Sequence, residues 1–134
     1  VIGVTGNIGV PVVKNLISAD FRIKAIVRNT DKAKKLFDCS EHVEIVKGDL
    51  RDLKSLQSAL KNTEYLYLNL STLTADINVP FAEEREGIEN ILNALDKNTI
   101  KQIIQISGLG ALDNQDTQNT FRFIPNIILS LIHI

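Results

Sequence analysis

The stretch that most restricts how this chain can fold is its beginning, residues 1–9, with the sequence VIGVTGNIG. Its glycines fall at Gly3, Gly6 and Gly9, and glycine allows a tight turn that approaches a phosphate closely. Apolar residues at helical spacing follow, which predicts a helix from about Gly9: Ile8, Val12, Leu16 and Ile17. The start of such a helix favours an anion. The stretch therefore predicts a short strand, a phosphate-binding turn and a helix, with a turn that binds no ligand as the alternative.

Composition excludes several other classes of protein. The 134 residues are 44% hydrophobic and 23% charged, as in one ordinary soluble domain. A net charge of −1 with scattered basic residues predicts neither a nucleic-acid nor a membrane partner. The single cysteine, Cys39, excludes an internal disulfide and fits a reducing compartment, so we expect a cytoplasmic protein. No spacing of His or Cys suggests a metal site.

Strand and helix patterns alternate along the chain. After the short first strand, further strands are predicted at 21–27, 43–46, 64–70 and 101–107, with helices between them. Thr30 or Asp31 can cap the second helix, Asp52 can cap the third, and Asn98 can end the fourth. The alternation predicts an α/β fold, a Rossmann-like doubly wound parallel sheet with helices on both faces. In such a fold the glycine turn holds the pyrophosphate of a dinucleotide.

Arg28 stands at the end of the second predicted strand, about 20 residues beyond the glycine turn. An acidic residue at this place binds the ribose hydroxyls of NAD, whereas an arginine suits the 2′-phosphate of NADP. No Asp or Glu occupies positions 25–28, and a guanidinium matches a phosphate in charge and shape. We therefore predict that NADP(H) is preferred over NAD(H), with Asn29 and Lys32 assisting. A solvated arginine at a strand end is the alternative.

The other candidate residues follow the later strands, at the edge where open α/β sheets bind ligands. Asp49 can accept a hydrogen bond from the adenine amino group and Leu50 can cover the ring, although a turn before the third helix explains them equally well. Ser107, at the end of the fifth strand, can bind a substrate carbonyl or cap a turn. Three residues at the end of the fourth strand are expected to line the site: Asn69, Leu70 and Ser71.

These motifs together resemble the NmrA-like and atypical short-chain dehydrogenase–reductase families. Residues 3–9 match their G-A-T-G-x-x-G turn with Val4 in place of Ala, and the likeness continues through 25–29, 48–50 and 105–111. The resemblance implies that NAD(P) is bound and that Arg28 favours NADP(H). It also assigns the turn residues to the cofactor: Gly3, Thr5, Gly6, Asn7, Ile8 and Gly9. Members include NADPH-dependent quinone reductases, isoflavone-type reductases and dinucleotide sensors that regulate transcription.

Two features depart from these families. Short-chain dehydrogenases use Tyr-x-x-x-Lys in catalysis, but the tyrosines here, Tyr65 and Tyr67, lie inside a predicted strand without that motif. Many NmrA-like members lack it as well, so the catalytic residue is unknown. In addition, residues 121–134 form a strongly apolar stretch, which is either a sixth strand and helix that pack on the sheet or a truncated segment whose partner is missing. Left exposed, such a patch would invite self-association. We expect a truncated or internally shortened chain, a single NAD(P)-binding domain at 1–134 with its Rossmann part at 1–112 and an irregular tail at 113–134.

Three functions follow from these expectations. The first is an NAD(P)H-dependent reductase of the quinone-reductase type. The second is a sensor that binds NADP(H) without catalysis, which a quinone assay separates from the first. The third is a truncated, inactive fragment, against which a cooperative melting transition would argue.

Overall fold

The structure, a computed structural model, describes residues 1–37, 40–70 and 80–106, in which helices alternate with strands. In chain order the elements are α1 (Gly9–Ser18), β1 (Ile23–Val27), α2 (Thr30–Phe37), β2 (Val43–Lys47), α3 (Leu53–Leu60), β3 (Tyr65–Leu68), α4 (Glu86–Ala94) and β4 (Gln102–Gln105). The helix predicted from Gly9 is therefore confirmed. Cys39, Ser71, Ser107 and the tail at 113–134 lie outside the described residues.

One residue at the start of the chain joins two pairs of parallel strands. β1 pairs with β2, β3 pairs with β4, and Ile2 bridges Ile26 of β1 and Leu68 of β3. The Ile2 amide donates to the Tyr67 carbonyl at 2.9 Å, and the Ile2 carbonyl accepts from the Asn69 amide at 3.1 Å. The resulting order is β2–β1–Ile2–β3–β4, with every pair parallel. The short first strand predicted before Gly3 is thus the centre of the sheet.

Buried side chains cover both faces of this sheet. Successive residues of a strand point to opposite faces, and β1 accordingly sends Ala25 and Val27 to one core and Ile26 to the other. The first core is closed by α1 and α2, through Val13 and Ala33. The second is closed by α3 and α4, whose inward residues include Leu56 and Ile91, both fully buried. The predicted parallel sheet with helices on both faces is confirmed.

The ends of several elements differ from the predictions because local hydrogen bonds decide them. Asn29, not Thr30 or Asp31, caps α2, since its Oδ1 accepts from the Lys32 amide at 3.0 Å. The cap predicted at Asp52 is confirmed, because its side chain accepts from the amides of Lys54 and Ser55. α4 ends at Ala94 rather than Asn98, because a turn formed around Asp96 replaces the last helical residues.

Three strands, β1, β3 and β4, are shorter than predicted, whereas β2 extends one residue further, to Lys47. β1 starts at Ile23 because Phe21 belongs to the turn after α1, where its amide donates to the Leu16 carbonyl and its ring is exposed. Three leucines of the helices are exposed as well: Leu36, Leu53 and Leu92. Among the helices described here, none combines the length and the apolar character needed to cross a membrane.

Candidate functional site

Glycine is required at two positions of the first turn. Gly3 has φ of 82°, which L side chains rarely adopt, and a Cβ there would lie 2.0 Å from the Asn69 carbonyl oxygen. A Cβ at Gly9 would lie 2.1 Å from the Gly3 carbonyl oxygen. That oxygen accepts from the Gly6 amide at 3.3 Å and from Asn69 Nδ2 at 3.5 Å. The turn is therefore folded tightly on itself and against the end of β3.

The outer surface of the same turn is bare. Gly6 is exposed, and a Cβ there would meet nothing closer than the Gly3 carbonyl oxygen at 3.5 Å. Within the part of the chain that the structure describes, the amides of Asn7, Ile8 and Gly9 donate no hydrogen bond. Ile8 supplies no side-chain cap to α1, and the first turn of α1 carries no acidic residue. Unpaired amides at a helix start fit an anion such as a diphosphate.

A cavity of about 300 Å³ opens beside this turn, at the carboxyl ends of the central strands. Its apolar wall includes Ile2, Val4 and Leu56 from the two cores. Its polar rim is formed by side chains from separate parts of the chain: Thr5, Arg28, Asn29, Lys32, Asn69 and Glu83. Such a cavity joins an apolar surface for a flat ring to groups that bind hydroxyls and phosphates.

Arg28 is an exposed charged group of this rim. Its side chain is 63% exposed, and its guanidinium reaches only one carboxylate in the described residues, Glu83 Oε1, at 4.0 Å. Lys32, in the first turns of α2, adds a second positive charge to the same rim. The side chain of Asn29 is fixed because its Oδ1 caps α2. Its Nδ2 stays available to donate to a ligand. The cations that the sequence predicted for a 2′-phosphate thus lie together.

Asp49 and Leu50 separate in the structure. Asp49 Oδ1 accepts from the Arg51 amide at 3.0 Å, and the Asp49 amide donates to Ser55 Oγ, also at 3.0 Å. Asp49 is not part of the cavity lining, so the turn expected before α3 is what it forms here. Leu50 does line the cavity, where its side chain can cover a ring. Its carbonyl accepts from Asn90 Nδ2 at 2.8 Å, which ties this loop to α4.

The other predicted residues divide into three groups. Gly3, Thr5, Asn69 and Leu70 line the cavity. The remaining turn residues lie outside its lining, at the bare outer surface and the start of α1: Gly6, Asn7, Ile8 and Gly9. Ser71 and Ser107 fall outside the described residues. The structure therefore brings the turn, Arg28, Leu50 and the end of β3 to one edge of the sheet.

Two residues of this edge were not among the predicted site residues, although Gly48 lies in the 48–50 stretch that carries the family likeness. Gly48 lines the cavity, and a Cβ there would lie 2.6 Å from Ile26 Cγ2, so a larger side chain would displace the core. Glu83 comes from the segment before α4, far from Arg28 in sequence. It belongs to a run of charged residues, EERE at 83–86, which is typical of a solvent-exposed segment. No sequence signal singled it out, because its approach to Arg28 is made by tertiary packing.

The tyrosines lie away from the cavity. Tyr65 is exposed on β3, and burial raises the pKa of the neighbouring Tyr67. Neither lines the cavity. In ranges 1–37, 40–70 and 80–106, His, Cys, Asp and Glu side chains form no group of three that is suited to a metal ion. The described edge of the sheet thus offers groups for binding and orienting a ligand.

Comparisons with known proteins agree with this geometry. A family model described as NAD(P)H-binding matches residues 3–129. An NADPH-dependent quinone oxidoreductase from Escherichia coli, solved with NADPH, is 29% identical with a TM-score of 0.66 over 82% of this chain and 36% of its own. A triphenylmethane reductase from Citrobacter sp., solved with NADP(H), is 28% identical with a TM-score of 0.61 over 79% of this chain and 36% of its own.

A curated reductase is also similar to this chain in sequence. Cinnamoyl-CoA reductase 1 from Petunia hybrida is 26% identical over 117 residues, which are 84% of this chain and 35% of the relative. The chain thus spans about a third of the length of the curated relatives it matches. The family model covers far more than half of the chain, and the solved structures are similar to it in fold. The chain therefore belongs to the NAD(P)H-binding family and has the Rossmann-like fold that its motifs predicted.

Proposed function

We propose that residues 1–134 are the dinucleotide-binding domain of an NADPH-dependent reductase of the quinone-reductase type, with NADP(H) preferred over NAD(H). The observation that carries the proposal is the position of Arg28. Its guanidinium is exposed on the rim of the cavity beside the glycine turn, where it can meet a 2′-phosphate. Relatives named as reductases, two of them solved with NADPH or NADP(H), support the reaction class.

Each group of the site has a separate task in this proposal. The amides of Asn7, Ile8 and Gly9 bind the diphosphate, helped by the positive end of α1. Leu50 covers the adenine, while Arg28 and Lys32 bind the 2′-phosphate. The nicotinamide supplies the hydride when the cofactor is bound. The described residues of the chain hold and orient the dinucleotide.

Titration with NADPH and NADH, followed by nucleotide fluorescence, tests the cofactor preference. Wild-type protein is expected to bind NADPH more tightly than NADH. Arg28→Ala should weaken NADPH by about tenfold or more, the value of a charge-assisted hydrogen bond, and leave NADH nearly unchanged. Arg22→Ala is the matched control, because it removes the same charge from an exposed residue that does not line the cavity. Equal losses for both nucleotides, or for both variants, would contradict the 2′-phosphate assignment.

Quinone reduction by the protein tests the reaction class. With NADPH and a soluble quinone, a reductase oxidises the nucleotide in proportion to enzyme concentration. A protein that binds NADPH tightly but leaves it unoxidised with every quinone would instead fit a non-catalytic NADP(H) sensor. The absence of Tyr-x-x-x-Lys is compatible with both, so the assay and not the sequence separates them.

A further inference from the structure

We propose that Glu83 opposes the 2′-phosphate at the Arg28 rim and so limits the preference for NADP(H) over NAD(H). This inference rests on the proposed function, because it concerns the selectivity of the same site. Local sequence had excluded an acidic residue at this place, since none occupies positions 25–28. The fold brings one from a distant segment.

Glu83 lines the cavity next to Arg28. Its side chain is only 23% exposed, lines the cavity together with Arg28 and Lys32, and lies 4.0 Å from the Arg28 guanidinium. A ligand phosphate that approaches Arg28 therefore meets a carboxylate beside its binding partner. Like charges placed together repel, and Arg28 must also exchange one anion for another.

Contacts on both sides of Glu83 hold the segment that carries it. The neighbouring Ala82 is buried, and its amide donates to Glu86 Oε2 at 2.7 Å. The Ala82 carbonyl accepts from the amides of Arg85 and Gly87 at 3.1 Å and 3.2 Å. On the other side, the Phe81 ring lies 4.9 Å from the Arg51 guanidinium carbon. These contacts fix the backbone on both sides of Glu83 and so keep this residue beside the rim.

A carboxylate at the rim suits the other dinucleotide. In NAD(H) the ribose carries a 2′-hydroxyl, which can donate to a carboxylate, whereas the 2′-phosphate of NADP(H) only accepts. Glu83 therefore penalises NADP(H) and tolerates NAD(H), while Arg28 acts in the opposite sense. The selectivity of the site is the difference between the two effects.

Glu83→Gln tests this directly, because it removes the charge and keeps the shape. The dissociation constant for NADPH is expected to fall by about two- to fivefold, the range of a partly exposed charge pair, while that for NADH stays unchanged or rises. Adenosine 2′,5′-bisphosphate and AMP, titrated by calorimetry, should show the same contrast. Glu83→Ala is the second variant. Glu84→Gln is the matched control, because it makes the same charge change in the same turn but outside the cavity lining.

The outcomes separate the two proposals. Wild-type protein that binds neither dinucleotide overturns the proposed function and this inference with it. Wild-type protein that prefers NADPH, together with a Glu83→Gln variant whose NADPH affinity is unchanged, overturns this inference alone. Equal gains for NADH, or an equal gain in Glu84→Gln, would show a general charge effect and overturn it as well.

Discussion

Alanine at Gly9 is expected to destabilise the fold, although Gly9 begins a helix, where alanine is normally the better residue. A Cβ at Gly9 would lie 2.1 Å from the Gly3 carbonyl oxygen and 2.9 Å from the carbonyl carbons of Gly3 and Val4. The Gly3 oxygen cannot yield easily, because it accepts from the Gly6 amide and from Asn69 Nδ2. The added methyl group must therefore push backbone atoms next to the central bridge of the sheet.

The magnitude follows from two opposing effects. Overpacking costs about 1–3 kcal/mol, and a clash with backbone lies at the upper end of that range. Replacing a helical glycine with alanine returns about 1 kcal/mol. The net loss in the free energy of unfolding is about 2 kcal/mol, which lowers the melting temperature by roughly 5–10 °C for a domain of this size.

Gly6→Ala is the matched control in the same turn. A Cβ at Gly6 would lie 3.5 Å and 3.6 Å from its nearest neighbours, which is ordinary contact. Its stability should stay within about 0.5 kcal/mol of wild type. The methyl group would, however, stand on the bare surface assigned to the diphosphate. NADPH binding is therefore expected to weaken by about tenfold, or ~1.4 kcal/mol.

Thermal and urea unfolding, followed by circular dichroism, measure the first effect, and NADPH titration measures the second. We expect Gly9→Ala to melt at a lower temperature than wild type. We expect Gly6→Ala to be about as stable as wild type but to bind NADPH more weakly. A Gly9→Ala protein that melts at or above the wild-type temperature would refute the steric argument. A stable Gly6→Ala protein with unchanged NADPH affinity would refute the use of this surface for the diphosphate.

Three further predictions concern the scaffold. Leu56→Ala should lower the free energy of unfolding in urea by about 2–5 kcal/mol, because Leu56 is fully buried between α3 and the sheet. Leu53→Ala, on the exposed side of α3, should lower it by less than about 1 kcal/mol. Similar losses in the two variants would contradict the assignment of Leu56 to the core. Asp52→Ala should lower stability by about 1 kcal/mol, and Asp52→Asn should restore most of it, since either side chain can accept from the first amides of α3; a neutral alanine variant would argue against the cap. Hydrogen bonds from the Ala82 amide and, to a lesser extent, from Arg85 hold the pKa of Glu86 below its ordinary value of 4.5. The charged form of Glu86 therefore stabilises the fold above that pH. This contribution is lost as the pH falls through the lower pKa of the folded state. The stability difference between wild type and Glu86→Gln should therefore be present at about pH 7 and vanish in acid, and a difference that does not vary with pH would count against this linkage.

The sequence predicted the elements well where periodicity and glycine chemistry were strong. The parallel sheet, the helix from Gly9 and the cap at Asp52 are confirmed. The central place of Ile2 was less predictable, because two residues are too short for a recognisable strand pattern. The bounds of α2 and α4 were wrong because competing side-chain hydrogen bonds, from Asn29 and around Asp96, decide where a helix begins or ends.

The site was predictable in its parts but not in its balance of charge. Gly3, Arg28 and Asn69 could be placed from the topology, because carboxyl ends of neighbouring parallel strands share one edge. Glu83 could not, since its distance from Arg28 depends on how the segment before α4 packs on the loop after β2, where the Phe81 ring lies beside the Arg51 guanidinium. Asp49 forms the turn that its sequence allowed, and its contact with an adenine stays a prediction.

Amide chemical shifts recorded during NADPH titration report where the dinucleotide lies on the protein. We expect saturable changes that are largest at Asn7, Ile8 and Gly9, with the Arg28 side chain also affected and the exposed face of α3 at Gln57 unchanged. Saturable binding that leaves the amides of residues 7–9 unmoved would contradict the claim that the glycine turn and the start of α1 hold the diphosphate.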